Sequence, residues 1–407
     1  MDYLSCCPLL LVVSGADRVL AGQRLSCPGT AVGSASHTGS TGSGWEVIMT
    51  VVAGRSAAGQ ETAGEAVPEF YVALEFTGDG RCCRPGLPSA PLTEVVVRVT
   101  ATGTALAAIS APRPCSTFTG VTAAADHRTF VLAAQKPARL PLTTPPVTRF
   151  FLLRVDPASP VPAGRARLEP LAIPEQPPGR VVSGLAVSPD ASRLAVTVGP
   201  FPGATGLHVF TLATGVRRVW DGPAVGPAFG PGAVHGCLSW AADGHTLALI
   251  SSGAPSPDRG VRLLDTAAPG SSLLASSRLV LPTPTGPENS SGNYWRQVLI
   301  SAGSQVIIAV IQVEAHHASG RMPGVTQKLV TFSATTGTLL RELNHLPVHG
   351  GYEHVPWASP SGQLLIVTGT QPGPAIGSFN LGHSAGTLSQ GRFTPIPWST
   401  RTFAAAW

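Results

Sequence analysis

The sequence predicts an all-β fold, a β-propeller of six four-stranded antiparallel blades, and three observations lead there. A turn-and-strand segment recurs as Ala124–Leu132, Ser188–Val196, Ala241–Leu249, Ser301–Ala309 and Ser359–Val367, with copies starting 64, 53, 60 and 58 residues apart. Around each copy, apolar and polar residues alternate with the two-residue period of a strand, and no helical period lies between them. The 46 glycines and 39 prolines punctuate these runs as turn residues. Repetition at this period marks a ring or array of like units. The repeats of a β-sandwich array are longer and those of a β-helix shorter.

Residues 1–66 read as a flexible or irregular lead-in, rich in Gly, Ser and Thr from 14 to 44. Within it, Trp45–Ala53 is strand-like, so an extra outer strand or a partial seventh blade is the alternative to six blades. Leu4–Val13 is apolar, but only Asp2 precedes it in charge, which does not suit a secretory signal.

Residues 67–407 read as the propeller. Its first hairpin set begins at Phe70–Phe76 and ends near Pro112, without an inner strand of its own. The unit from Val181 to Trp220 shows the full pattern. Gly184–Val187 is an inner strand, and Ser188-Pro-Asp-Ala-Ser192 is a turn in which Pro presets φ and Asp bonds nearby amides. Leu194, Val196 and Val198 form the buried face of a second strand, and Leu207–Leu212 and Val216–Trp220 complete the four. Strand-plus-turn pairs recur at Val96–Gly103, Val261–Gly270 and Leu329–Gly337. At the far end, Phe403–Trp407 has the look of an inner strand without a sheet. The expected closure pairs it into the N-terminal blade, which removes the exposed edges of an open array.

Composition narrows the function. The chain is 43% hydrophobic and 12% charged, yet no apolar run approaches 18 residues, so no membrane-spanning segment is expected. Lys136 and Lys328 are the only lysines, and the net charge of +5 is spread along the chain. Without a basic cluster, nucleic-acid binding is not expected. The seven cysteines, Cys6, Cys7, Cys27, Cys82, Cys83, Cys115 and Cys237, match no zinc spacing. Cys237 reads as a small buried hydrophobe. Free thiols are favoured over a Cys115 disulfide to Cys82 or Cys83, which an oxidising compartment would allow.

The runs Val181–Asp190, Leu238–Leu249, Val261–Gly270 and Gly391–Pro397 resemble actinobacterial WD-repeat-like propeller proteins, and their style is similar to that of TolB-type propellers. The resemblance covers roughly residues 67–407 and rests on turn and core positions. It implies the propeller fold and says little about activity. The Trp-Asp pair of true WD repeats occurs once, at Trp220-Asp221.

Candidate chemistry is sparse. Gly382-His-Ser-Ala-Gly386 has the G-x-S-x-G form, but no helix follows, and no Asp, Glu or His lies after Ser384. It reads as a Gly-rich hairpin turn after a strand at Ala375–Leu381. His316, His317, His345, His349 and His354 thicken between the fifth and sixth blades, but Pro347 breaks the one pair with helical spacing. Asp126, Asp190 and Asp243 share one repeat position, where turn capping explains them. Trp240, Trp357 and Trp407 end inner strands, where they pack between blades or form a binding face at the mouth of the channel. No catalytic residue, cofactor or metal ligand is assigned.

The expected function is a non-enzymatic, monomeric scaffold or ligand sensor with a protein or peptide partner. The alternatives are a metal-dependent hydrolase or lactonase centred on the channel, and a cell-surface recognition module. The cytoplasm is favoured over the cell surface.

Overall fold

The chain separates into two units, Met1–Ala63 and Gly64–Trp407. The computed structural model describes residues 67–76, 93–115, 117–136, 147–156, 158–159, 165–176, 180–200, 206–222, 237–251, 258–283, 293–301, 303–315, 324–343, 351–358, 364–370, 382–389, 392–399 and 402–407. The run Trp45–Ala53 and the cysteines Cys6, Cys7, Cys27, Cys82 and Cys83 lie outside them.

Strands account for most of the described chain. The first blade holds β1 (Phe70–Phe76), β2 (Thr93–Val99) and β3 (Ala105–Ser110), and the second β4 (Thr117–Ala123), β5 (Thr129–Lys136), β6 (Val147–Val155) and β7 (Ala166–Pro170). The third holds β8 (Arg180–Val187), β9 (Arg193–Pro200), β10 (Gly206–Thr211) and β11 (Arg217–Asp221). The fourth holds β12 (Leu238–Trp240), β13 (Thr246–Ser251), β14 (Gly260–Asp265), the short helix α1 (Leu273–Ser276) and β15 (Ser277–Pro282). Then come β16 (Asn293–Ile300), β17 (Val306–Ala315), β18 (Gly324–Ser333) and β19 (Leu339–Leu343), followed by β20 (Gly351–Ala358), β21 (Leu364–Thr370), β22 (Gly382–Ser389) and β23 (Arg392–Ile396). Last is β24 (Thr402–Ala406), which pairs antiparallel with β1 as Val72↔Ala406, Ala73↔Ala405, Leu74↔Ala404 and Glu75↔Thr402. Each sheet is an antiparallel four-strand meander, and the first has the order β24-β1-β2-β3.

The repeated turn has one geometry. Its fourth residue is left-handed in four copies: His127 at φ 52°, Ala191 at 56°, Gly244 at 69° and Ser304 at 56°. In each, that residue's amide bonds the carbonyl three residues back, as in Ala191 N to Ser188 O at 2.9 Å. A left-handed backbone costs a residue with a Cβ about 1 kcal/mol, and the aspartates offset it. Asp126 Oδ1 accepts from the amides of Arg128 (2.9 Å) and Thr129 (2.8 Å), and Oδ2 accepts from the Thr129 hydroxyl (2.7 Å). Asp243 repeats this with His245 and Thr246. The turn-capping reading of the recurring Asp therefore holds.

A second turn, between the third and fourth strands, locks each of three blades to the one before it. Gly103, Gly215 and Gly337 are left-handed at φ 68°, 68° and 70°. A Cβ there would lie 2.7 Å from Pro397 Cβ, 2.6 Å from Ala172 O and 2.4 Å from Val280 O, so only glycine allows the approach. Arginines tighten two junctions from the outer strands. Arg218 donates to the carbonyls of Thr266 and Ala268, and Arg278 to those of Ala334 and Thr335.

The apolar cores lie between blades. Val131, Ala133 and Phe150 of the second blade pack with Val182, Leu185 and Val187 of the third. Tyr71, Ala73, Ala405 and Trp407 of the first sheet pack with Ala385 on β22. The inner strands adjoin in the order β4, β8, β12, β16, β20, β24 and back to β4. The chain is an all-β propeller of four-stranded antiparallel blades.

One expectation fails locally. Gly382–Gly386 is the start of strand β22, where a hairpin turn was expected. The cause is close packing within the sheet. A Cβ on Gly386 would sit 2.4 Å from the Phe393 ring and 2.6 Å from Thr394 O, so glycine serves neighbouring β23 and not a bend.

Candidate functional site, the inner strands and the two faces

A β-bulge recurs in the inner strands, and it singles out one position in each. The register slips at Phe118/Gly120 in β4, Val182/Gly184 in β8 and Trp295/Gln297 in β16. The extra residues are Thr119, Ser183 and Arg296, each five positions before the repeated turn. In β8, Val182, Leu185 and Val187 face the preceding blade, while Ala186 faces the following one. Ser183 falls between these two sets. It and its counterparts are partly exposed, while the residues on either side of each are buried. A bulge re-aims a side chain in just this way. Further slips occur at His354/Trp357 in β20 and opposite Leu74/Glu75 in β24.

These side chains are polar. The Ser183 and Thr197 hydroxyls are 2.9 Å apart, and Thr119 donates to Ala133 O at 3.4 Å. Gly184 is glycine because the fourth blade approaches it. A Cβ there would lie 2.3 Å from Cys237 Sγ. Cys237 is fully buried, and burial pushes its thiol up to about 12, which leaves it unreactive. Cys115 is likewise a buried free thiol. The recurrent bulge escaped the sequence reading. The glycine that follows it, at Gly120 and Gly184, is the signal that could have shown it.

Trp240 ends β12, Trp357 is the penultimate residue of β20 and Trp407 directly follows β24. Trp240 is buried and its Nε1 donates to Ala186 O of the neighbouring blade at 3.0 Å. Trp407 is buried in a cluster with Tyr71 and Trp398, whose ring centroids are 4.8 and 6.0 Å away. Trp357 lies in β20 opposite Leu365. Ser384 pairs with Thr368 across β21 and β22. His316, His317, His345 and His349 lie outside the described residues, and His354 is in β20. Among the described residues, no three His, Cys, Asp or Glu side chains gather as metal ligands. Nor is any described helix long and apolar enough to cross a membrane.

Connections differ between the two faces. The turns joining first to second strands, and most of those joining third to fourth, are short and pinned by Asp or Gly. The longer connections, such as 77–92 after β1, 222–237 after β11 and 371–381 after β21, follow second or fourth strands. Their Gly/Pro-rich interiors lie outside the described residues.

Charged groups in the described sheets mostly hold the sheets together. Glu75 is buried and accepts two bonds from Arg98, at 2.7 and 3.0 Å, and a bond from the Thr402 hydroxyl at 3.3 Å. That Glu75 bond holds the Arg98 guanidinium above its ordinary range. Arg262 is buried and donates to Ser277 Oγ and to the carbonyls of Asp258, Leu274 and Ser277. Burial raises the Tyr71 phenol to about 12, and its hydroxyl donates to Pro397 O at 3.4 Å.

No family model and no curated protein matches the chain in sequence. Solved structures do share its fold. TolB from Acinetobacter baumannii superposes with a TM-score of 0.50 at 15% identity, covering 85% of this chain and 67% of that one. The periplasmic gluconolactonase PpgL from Pseudomonas aeruginosa gives a TM-score of 0.40 at 17% identity, covering 83% and 98%. Dipeptidyl peptidase 4 from Porphyromonas gingivalis gives 0.34 at 10% identity, covering 74% and 50%. Scores as low as the last two add nothing to the assignment, and identities in this range speak to fold alone. The chain has the TolB-like propeller architecture.

Proposed function

We propose that the chain is a non-enzymatic, WD-repeat-like propeller that acts as a protein-interaction or ligand-sensing scaffold, built as a six-bladed ring closed by β24. One observation carries this reading. The recurring carboxylates Asp126, Asp190 and Asp243, which a ring enzyme would aim at its axis, are bonded to the amides of their own turns. The bulged positions on the inner strands present Thr119, Ser183 and Arg296, groups that bind by hydrogen bonds and charge.

Immobilised full-length protein and a Ser183→Trp variant, both shown folded by circular dichroism, would be compared for capture of partners from the native organism. A partner held by the parent and lost by the variant supports the reading. Hydrolysis of a lactone or ester that needs a divalent cation and stops with chelator would replace it with the enzymatic alternative.

A further inference from the structure

The edge of β1 is a slot built for one kind of strand. Its main chain pairs with β24 at four positions. The pocket on either side is selective by size. Ala404 and Ala406 are buried against the core shared with the second blade, and Ala405 against the core shared with β22. Larger side chains at those three positions would overfill packed cores. Trp407 then anchors the strand, 2% exposed and stacked on Tyr71 and Trp398. At the other end, Thr402 Oγ1 meets Glu75, which Arg98 holds in place. Main-chain pairing for affinity with alternate pockets for specificity is the logic of strand addition to a sheet edge.

We propose that this slot is a peptide-binding site, filled in cis by β24 and open in trans to the same strand from a second copy of the chain. The proposal rests on the ring closure inferred above. The occupant is set by the slot itself, since a Thr-x-Ala-Ala-Ala-Trp pattern fits it and the chain carries that pattern at 402–407. Residues 397–401 join β23 to β24. Reciprocal exchange of identical elements between copies produces a closed dimer without new contacts.

The test uses full-length protein with a specific protease site inserted between Ser399 and Thr402, cut after folding and mixed with a fluorescent Thr402–Trp407 peptide. Saturable uptake of the label, or co-elution of the cut segment with the ring on gel filtration, is expected. A Trp407→Ala peptide should compete at least tenfold less well. Uncut protein refolded at high concentration should yield a dimer that dissociates only on unfolding. Two results would overturn the proposal, and they are distinguishable. If the cut segment leaves and the melting temperature does not change, the closure itself is wrong. If melting falls but neither peptide nor dimer is bound, closure stands and the slot is not exchangeable.

Discussion

The indole of Trp407 stacks on the ring of Tyr71, with centroids 4.8 Å apart and planes inclined by 27°. The contact lies where β24 pairs with β1. Replacing Trp407 with Ala removes a buried aromatic, and a loss of about 3–5 kcal/mol is expected. Trp407→Phe should cost less than half of that. Deleting Phe403–Trp407 should be worse than either, because β1 then loses its partner strand. Urea unfolding of the four proteins orders these effects, and a deletion that melts like the parent refutes the closure.

Glycine does different work at two left-handed turns. Gly244 has nothing within 4 Å of where its Cβ would stand, so Gly244→Ala introduces backbone strain alone, about 1 kcal/mol. Gly337→Ala adds a clash with Val280 O of the preceding blade at 2.4 Å and should cost clearly more. Denaturant midpoints for the two variants check the order. Equal losses would show that the turn at Gly337 does not lock its neighbour.

The turn aspartates predict an acid-sensitive frame. At Asp126 and Asp243 burial alone would raise the carboxyl, but the bonds from Thr129 or Thr246 and the nearby amides outweigh it, and both lie below the usual range. Asp190 is lowered chiefly by the Ser188 hydroxyl. A carboxyl depressed in the folded state contributes stability above its unfolded pKa of about 4, and that contribution is lost as pH falls through the folded value. Stability from these groups should therefore hold from neutrality to about pH 4 and decline below it. Asp126→Asn with Asp243→Asn should flatten the decline, measured as urea midpoints between pH 2 and 7.

In the first sheet the buried Glu75 is paired with the partly buried Arg98. Arg98→Met leaves a buried carboxylate unpaired, and a loss of about 3–5 kcal/mol is expected. Glu75→Leu combined with Arg98→Met should recover much of it. A double-mutant cycle measures the coupling, and additive losses would show that the pair contributes no specific interaction.

The repeated turns were legible because their chemistry is local. Asp126, Asp190 and Asp243 sit beside the amides they cap, so a window of six residues contains the whole interaction. Phe403–Trp407 was legible as a strand because it ends in Trp, as the segments up to Trp240 and Trp357 do, and most of it lies in β24. The clasps of Arg218 on Thr266 and Arg278 on Ala334 were not, because each joins residues about 50 apart that only the assembled ring brings together. Gly382–Gly386 misled for a related reason. Glycine there answers a ring on the next strand, which looks the same in sequence as glycine that answers a bend. At the inner strands, the bulge leaves Thr119, Ser183 and Arg296 partly exposed between buried neighbours without changing the apolar pattern around them, so alternation alone could not single them out.

The pairing of β1 with β24 also has a consequence in time. Glu75 and Thr402 are 327 residues apart. At ribosomal speeds of about 5–20 residues per second, the first strand emerges roughly 16–65 s before its partner. Throughout that interval its hydrogen-bonding edge is bare, in a crowded compartment where any extended stretch of another nascent polypeptide can pair with it. Slower translation would lengthen that exposure and faster translation shorten it, so yield of soluble protein should track elongation rate more closely than it tracks the stability of the finished ring.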